Sequence, residues 1–182
     1  CPHANHVVQK MISVCPDGLT RFVACELTDV GFDTARHRFG CRIISRLIEF
    51  CSQTPETERL IQEICSQGSL CTSRYGHHVA ISLIEHGKET QKQKIVDELH
   101  ANLLNYGRRL HASACLEAAL IHCEETARLG LVASLMKDAT LVEILRSKRK
   151  GFYVGKAFVR VGGESAALFL RDNADEILTT ES

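Results

Sequence analysis

Apolar residues recur along this chain at i, i+1, i+4 and i+5, and the pattern itself recurs. Five eleven-residue segments carry it: NHVVQKMISVC from Asn5, CRIISRLIEFC from Cys41, HHVAISLIEHG from His77, SACLEAALIHC from Ser113 and FYVGKAFVRVG from Phe152. The first four begin 36 residues apart, and the fifth follows after 39. With the first residue of each as column zero, columns two, three, six and seven are apolar or small. They hold Val7, Val8, Met11 and Ile12; Ile43, Ile44, Leu47 and Ile48; Val79, Ala80, Leu83 and Ile84; Cys115, Leu116, Ala119 and Leu120; and Val154, Gly155, Phe158 and Val159. Such spacing draws one stripe along an α-helix. Each segment therefore predicts an amphipathic helix with these columns buried, over residues 3–15, 39–51, 75–87, 111–123 and 150–162.

Between them lie further helical stretches, Thr57 to Cys65, Thr90 to Leu99 and Thr126 to Met136, with shorter ones at Ala101 to Tyr106 and Ala139 to Leu145. A last helix is expected near 164–178. A unit of 36 residues thus holds two long helices and one short one. It cannot bury its apolar faces alone and must stack on its neighbours. The fold class that follows is all-α, a solenoid of about five repeats. Column ten holds Cys15, Cys51, Gly87, Cys123 and Gly162. Stacked equivalents sit roughly 8 to 10 Å apart, beyond the roughly 7 Å Cα limit of a disulfide, so these cysteines read as small buried apolar residues. The odd total of nine and the lack of any C-x-x-C favour a reduced compartment.

Columns zero, one and four remain, and are expected to lie together away from the buried stripe. Their occupants are Asn5, His6 and Gln9; Cys41, Arg42 and Ser45; His77, His78 and Ile81; Ser113, Ala114 and Glu117; Phe152, Tyr153 and Lys156. A merely solvated face would mix Lys with Glu. Column one instead offers four planar groups able to stack on a base, His6, Arg42, His78 and Tyr153. Columns zero and four pair short polar groups that suit one base edge in the first, second and fourth units.

NHVVQ at Asn5, FGCRII at Phe39, YGHHV at Tyr75 and LIEHG at Leu83 resemble the repeat signature of the Pumilio homology, or PUF, family. The resemblance covers nearly the whole chain. It implies a single repeat domain over 1–182, a right-handed superhelix of three-helix repeats similar to the C-terminal five of the usual eight. The opening residues, CPHANHVVQK, also read as the middle of something, so a preceding part is expected to be missing. The resemblance further implies single-stranded RNA, typically in the 3′ untranslated regions of messenger RNA, lying antiparallel on a concave face. Columns zero and four would read one base per repeat and column one would stack. Asn5 with Gln9 then matches a uracil reader and Ser113 with Glu117 a guanine reader, since a carboxylate accepts from guanine N1 and N2. Cys41 with Arg42 is of the adenine type, but Ser45 stands where glutamine is expected. His77 faces Ile81, which has no polar group, and Phe152, Tyr153 and Lys156 depart further. The implied element is 5′-N-G-N-A-U-3′. Control of translation or decay in the cytoplasm, by a monomer, follows from the same resemblance. The alternatives are a weakly selective RNA binder in ribosome assembly, which would be nucleolar, and a scaffold with protein partners on the convex face.

Charge first argues against this, because 22 basic and 22 acidic residues sum to zero. Locally the balance breaks. Windows around column zero at 1–10, 36–46, 72–82, 108–118 and 147–157 carry +1, +4, +1, +1 and +4, in total +11, leaving −11 elsewhere. Arg38, Arg74 and Arg109 precede reader helices and are placed on the phosphate side. The run RSKRK from Arg146 reads as a basic loop beside the fifth reader helix. No run approaches a membrane span. The stretch KGFYVGKA lacks the spacing and the hydroxyl of a phosphate loop. Neither Cys65, Cys71, His77 and His78 nor His111 with Cys115 fits a zinc site, and no catalytic constellation stands out. No cofactor, metal or enzymatic activity is therefore expected.

Overall fold

The computed structural model describes residues 2–137 and 139–179, with the backbone alone at residues 2, 17 and 148–150. Among these the regular elements are all helices: α1 (Pro2–Val14), α2 (Asp17–Glu26), α3 (Gly31–Ala35), α4 (Gly40–Cys51), α5 (Pro55–Gln67), α6 (Gly76–His86), α7 (Glu89–Ala101), α8 (Leu103–Gly107), α9 (Leu110–His122), α10 (Glu125–Met136), α11 (Thr140–Arg146), α12 (Lys148–Asp172) and α13 (Ala174–Leu178). The five reader helices are α1, α4, α6, α9 and the first part of α12, each starting within two residues of its expected position. The chain divides into two compact units, Cys1–Lys94 and Ile95–Ser182.

In the first unit α1 packs on α4 and α4 on α6, while α2 and α3 pack on α5. Ile12, Ile44, Leu47, Ile48, Val79, Ala80, Leu83 and Ile84 fill the seams between reader helices and are buried. Each fully buried aliphatic side chain of this size contributes roughly 1.5 to 3 kcal/mol. In the second unit α9 packs on α12, with α8, α10 and α11 against them, and Cys115, Leu116, Ala119, Leu120, Val154 and Phe158 are buried.

The helix starts have local causes. Thr54 accepts a hydrogen bond from the Thr57 N–H, with Pro55 in the first turn and Glu56 and Glu58 beside the helix dipole, so α5 begins there. His37 Nδ1 accepts from the Phe39 and Gly40 N–H groups ahead of α4, and 36 residues on Ser73 Oγ accepts from the Gly76 N–H ahead of α6. Glu63 of α5 takes the Asp29 and Gly31 N–H groups at 2.8 and 3.0 Å, tying the turn before α3 to the next repeat. Reader helices start hard against the preceding segment. A Cβ on Gly40 would lie 2.4 Å from the Thr34 carbonyl oxygen, and one on Gly151 2.3 Å from that of Ile144.

Several expectations are corrected. Two helices, α2 and α3, were not marked by the apolar pattern. The third repeat has no short helix, and residues 68–75 make turns instead. Val7 and Val159, assigned to the buried stripe, are exposed, Val7 at 68%. The run RSKRK is not a loop: Arg146 ends α11, only Ser147 intervenes, and α12 begins at Lys148. The side chains of Lys148, Arg149 and Lys150 lie outside the described residues. The fifth reader helix and the expected capping helix run together as α12, separated at Gly163, whose φ of 55° and ψ of −133° break the helical path.

Candidate nucleic-acid interface

The largest correction concerns column zero. Asn5, Cys41, His77 and Ser113 are buried rather than displayed. The reason is geometric: columns zero, three, seven and ten succeed one another at three- and four-residue steps, so they share one line of the helix. Column zero therefore continues the seam between neighbouring reader helices. Column four, next to that line, is half-buried at Gln9, Ser45, Ile81 and Glu117, and column one is exposed at His6, Arg42, His78 and Tyr153.

The buried column-zero groups differ in how their hydrogen-bonding capacity is used. The Cys41 thiol donates to the Arg38 carbonyl at 3.6 Å, and burial pushes its pKa up, so it stays a neutral donor. The Ser113 hydroxyl donates to the Leu110 carbonyl at 3.1 Å. His77 Nδ1 meets the Ser73 carbonyl at 3.0 Å, and since a carbonyl only accepts, Nδ1 carries the proton. Its ring also lies 3.9 Å from that of His78. By contrast Asn5 Oδ1 and Nδ2, Gln9 Nε2 and Ser45 Oγ are buried with no hydrogen-bond partner among the described residues, a state that carries a desolvation cost of about 1 to 3 kcal/mol per group.

In the first unit the seam opens into a groove of about 400 Å³ lined by Gln9, Arg42, Ser45, Arg46, His78, Ile81 and Ser82. It gathers column-one and column-four residues of α1, α4 and α6. Arg46 and Ser82, one step beyond column four, were not singled out from the sequence, although their places follow from the same register.

The positive strip is thinner than its sequence total. Arg46 pairs with Glu49, and Arg108 lies 3.7 Å from Glu143. Arg42 and Lys156 meet no carboxylate among the described residues. Nor do Arg38 and Arg74, whose guanidinium groups sit over the rings of Phe39 and Tyr75 at 5.0 and 5.5 Å. These two platforms were missed, though the recurrence of Arg-aromatic-Gly at a spacing of 36 announces them. Arg109 donates from Nε to Asn105 Oδ1 at 3.0 Å and remains exposed.

In the second unit the Glu117 carboxylate stands one turn from Ser113 on α9. Phe152, Tyr153 and Lys156 are all exposed on α12. Gly155, the glycine of the KGFYVGKA stretch, is packed against Leu145, where a Cβ would meet Cδ2 at 2.7 Å. Among the described residues no three His, Cys, Asp or Glu side chains gather as metal ligands, and no helix is long and apolar enough to cross a membrane.

A family model described as the Pumilio-family RNA binding repeat matches residues 1–28, 32–65 and 68–100, over half of the chain. The chain belongs to the Pumilio family. This Pumilio chain is 25% identical over 126 residues to the chloroplastic pumilio homolog 8 of Arabidopsis thaliana, covering 68% of itself and 24% of that protein. Solved relatives include PUF-8 in complex with PBE-RNA, 21% identical with a TM-score of 0.85, covering 97% of this chain and 54% of that one. Another is the Puf3 RNA binding domain bound to the Cox17 RNA 3′ UTR recognition sequence site A, 21% identical with a TM-score of 0.82, covering 96% and 57%. A third, the RNA-binding domain of yeast Puf5p bound to MFA2 RNA, is 16% identical with a TM-score of 0.70, covering 94% and 49%. The Pumilio chain thus spans about half the length of its solved relatives. Its fold is the PUF-type all-α repeat solenoid, including residues 101–182, where the family model finds no repeat.

Proposed function

We propose that this Pumilio chain binds single-stranded RNA on its reader helices, selecting bases at some units and accepting any base at others. The observation that carries the proposal is the first-unit groove. Gln9 Nε2 and Ser45 Oγ, buried with no hydrogen-bond partner among the described residues, sit there beside Arg42, which meets no carboxylate among them. A ligand with hydrogen-bonding edges, flat faces and negative charge fits all three features.

The state of each pair sets its preference. Asn5 and Gln9 offer amide donors and acceptors, which suits uracil with its N3–H and two carbonyls. Ser113, with its proton committed to Leu110, is left only as an acceptor, and Glu117 only accepts, which suits the guanine N1–H and N2–H₂ edge. Ser45 reaches less far than the glutamine that an adenine reader would carry, and Ile81 offers nothing polar, so selection at α4 and α6 is weak. His6, Arg42, His78 and Tyr153 stack, and Arg38, Arg74 and Arg109 face the phosphates. Relatives solved with 3′ UTR recognition sequences support messenger RNA as the target class; control of its translation or decay is the role proposed with it.

Titrating fluorescent single-stranded RNA with the protein across salt concentrations tests this. Binding that weakens steeply with salt, and falls in the Arg38→Ser, Arg42→Ser double variant, is the expected result. No affinity for RNA even at low salt would overturn it and leave a protein-binding scaffold as the better reading.

A further inference from the structure

A pocket of about 300 Å³ opens in the second unit between α9, α10 and α12, lined by Ile121, Glu125, Arg128, Leu129, Arg160 and Val161. None of these residues belongs to columns zero, one or four. Ile121 and Arg160 each stand eight residues past column zero of their helices, about 12 Å along the axis. Arg128 is half-buried and Arg160 exposed, and neither meets a carboxylate among the described residues. Glu125 lies one turn before Arg128 on α10, at a spacing where such residues pair, yet no ion pair joins them. Arg128 Nε is buried with no hydrogen-bond partner among the described residues. A buried donor on a charged group is costly to leave unmade, and an oxyanion entering the pocket removes that cost.

We propose that this pocket docks an acidic segment of a partner protein: Arg128 and Arg160 take the carboxylate of one Asp or Glu side chain, and a neighbouring aliphatic side chain of the same segment packs on Leu129 and Val161. The proposal goes beyond the RNA-binding reading and does not depend on it. Two guanidinium groups against the one carboxylate of Glu125 leave a single positive charge in the lining. One incoming carboxylate cancels that charge, and the planar guanidinium forks match its two oxygens. A doubly charged phosphate would overfill the site and be repelled by Glu125. The rest of the lining separates a peptide from RNA. Leu129 is 51% exposed, and with Ile121 and Val161 it offers an aliphatic surface that a sugar-phosphate chain cannot use. Glu125 only accepts, which suits the N–H groups of a peptide backbone, whereas an RNA backbone has the 2′-hydroxyl alone to donate.

Selection of peptides from a random library displayed on phage, with the whole chain as bait, followed by affinity measurement on the synthetic winners, tests this. The enriched peptides should carry Asp or Glu beside Leu, Ile or Val. Their binding should fall about tenfold or more in Arg160→Gln, whose exposed side chain can change without loss of the fold, and in Arg128→Lys, which keeps the charge but loses the planar fork. Exchanging the peptide's acid for its amide should cost a similar factor in the parent and little further in Arg160→Gln, because the two groups act as a pair. No enrichment, winners without an acid, or equal binding by parent and variants would overturn the proposal. So would a phosphoserine form of the peptide that binds more tightly than the carboxylate. Both variants should bind single-stranded RNA with the salt dependence of the parent. A slope of log K against log salt lowered by about 0.7, the mark of a lost phosphate contact, would assign these arginines to RNA and overturn the proposal as well.

Discussion

The Ser113 hydroxyl donates to the Leu110 carbonyl at 3.1 Å, one turn back on the same helix. That bond uses the hydroxyl's one proton and leaves its oxygen only as an acceptor, and Glu117, four residues on, is a second acceptor. Guanine presents two adjacent donors on its pairing edge. Glu117→Gln, which exchanges one acceptor oxygen for an NH₂ donor, should reduce the preference for guanine over adenine by about 1 to 3 kcal/mol. Competition between two oligonucleotides that differ at a single base measures it, and thermal unfolding should barely change because Glu117 is only half-buried.

Asn5 is 4% exposed, and neither its Oδ1 nor its Nδ2 has a hydrogen-bond partner among the described residues. Function and stability oppose each other here. Asn5→Leu should stabilise the free protein by about 1 kcal/mol, since the unpaired amide is removed and the packing kept. The same change should weaken binding to uracil-containing RNA. Urea unfolding and RNA titration on the same preparation read both signs, and a loss of stability would contradict the prediction.

Much of the fold and part of the site were legible in the sequence, for one reason. The 36-residue period places all five reader helices, because columns three, six and seven are apolar in nearly every copy. What failed has the same physical root. Column zero is grouped with columns one and four as its helical neighbours, yet it also lies on the line of columns three and seven, and that line is the buried one. Short α3 was invisible because five residues carry no full period. The break at Gly163 inside α12 depends on a single backbone conformation, which apolar spacing does not encode.

Two glycines that hold the second unit together should fail for different reasons. Gly163 has open space around its missing Cβ, but its φ of 55° and ψ of −133° suit few L-residues. Gly163→Ala should cost about 1 to 3 kcal/mol through backbone strain alone. Gly151→Ala meets the Ile144 carbonyl oxygen at 2.3 Å and must displace the start of α12. Thermal unfolding of both, with circular dichroism, should show lower midpoints. Only Gly151→Ala should also weaken RNA binding, because Phe152 moves with it.

Arg21 of α2 and Glu56 at the start of α5 form an ion pair between successive repeats. The hydrogen bond from Arg21 holds the Glu56 carboxyl below its ordinary value. A depressed folded-state pKa gives stability that is present above the unfolded value, about 4.3 for Glu, and is lost as the pH falls through the folded one. The difference in urea midpoint between the parent and Glu56→Gln should therefore be seen at pH 7 and diminish progressively as the pH is lowered below about 4.3. It should also shrink in high salt, since the Arg21 end of the pair is exposed.

The most direct test of RNA selection by the reader helices is recovery of bound RNA from a random single-stranded pool, run in parallel with the parent chain and Glu117→Gln. One strongly enriched guanine in the parent, lost in the variant, with no preference at the position held by Phe152 and Tyr153, is the predicted result. Identical profiles for the two proteins, or no enrichment in either, would contradict base selection by these side chains.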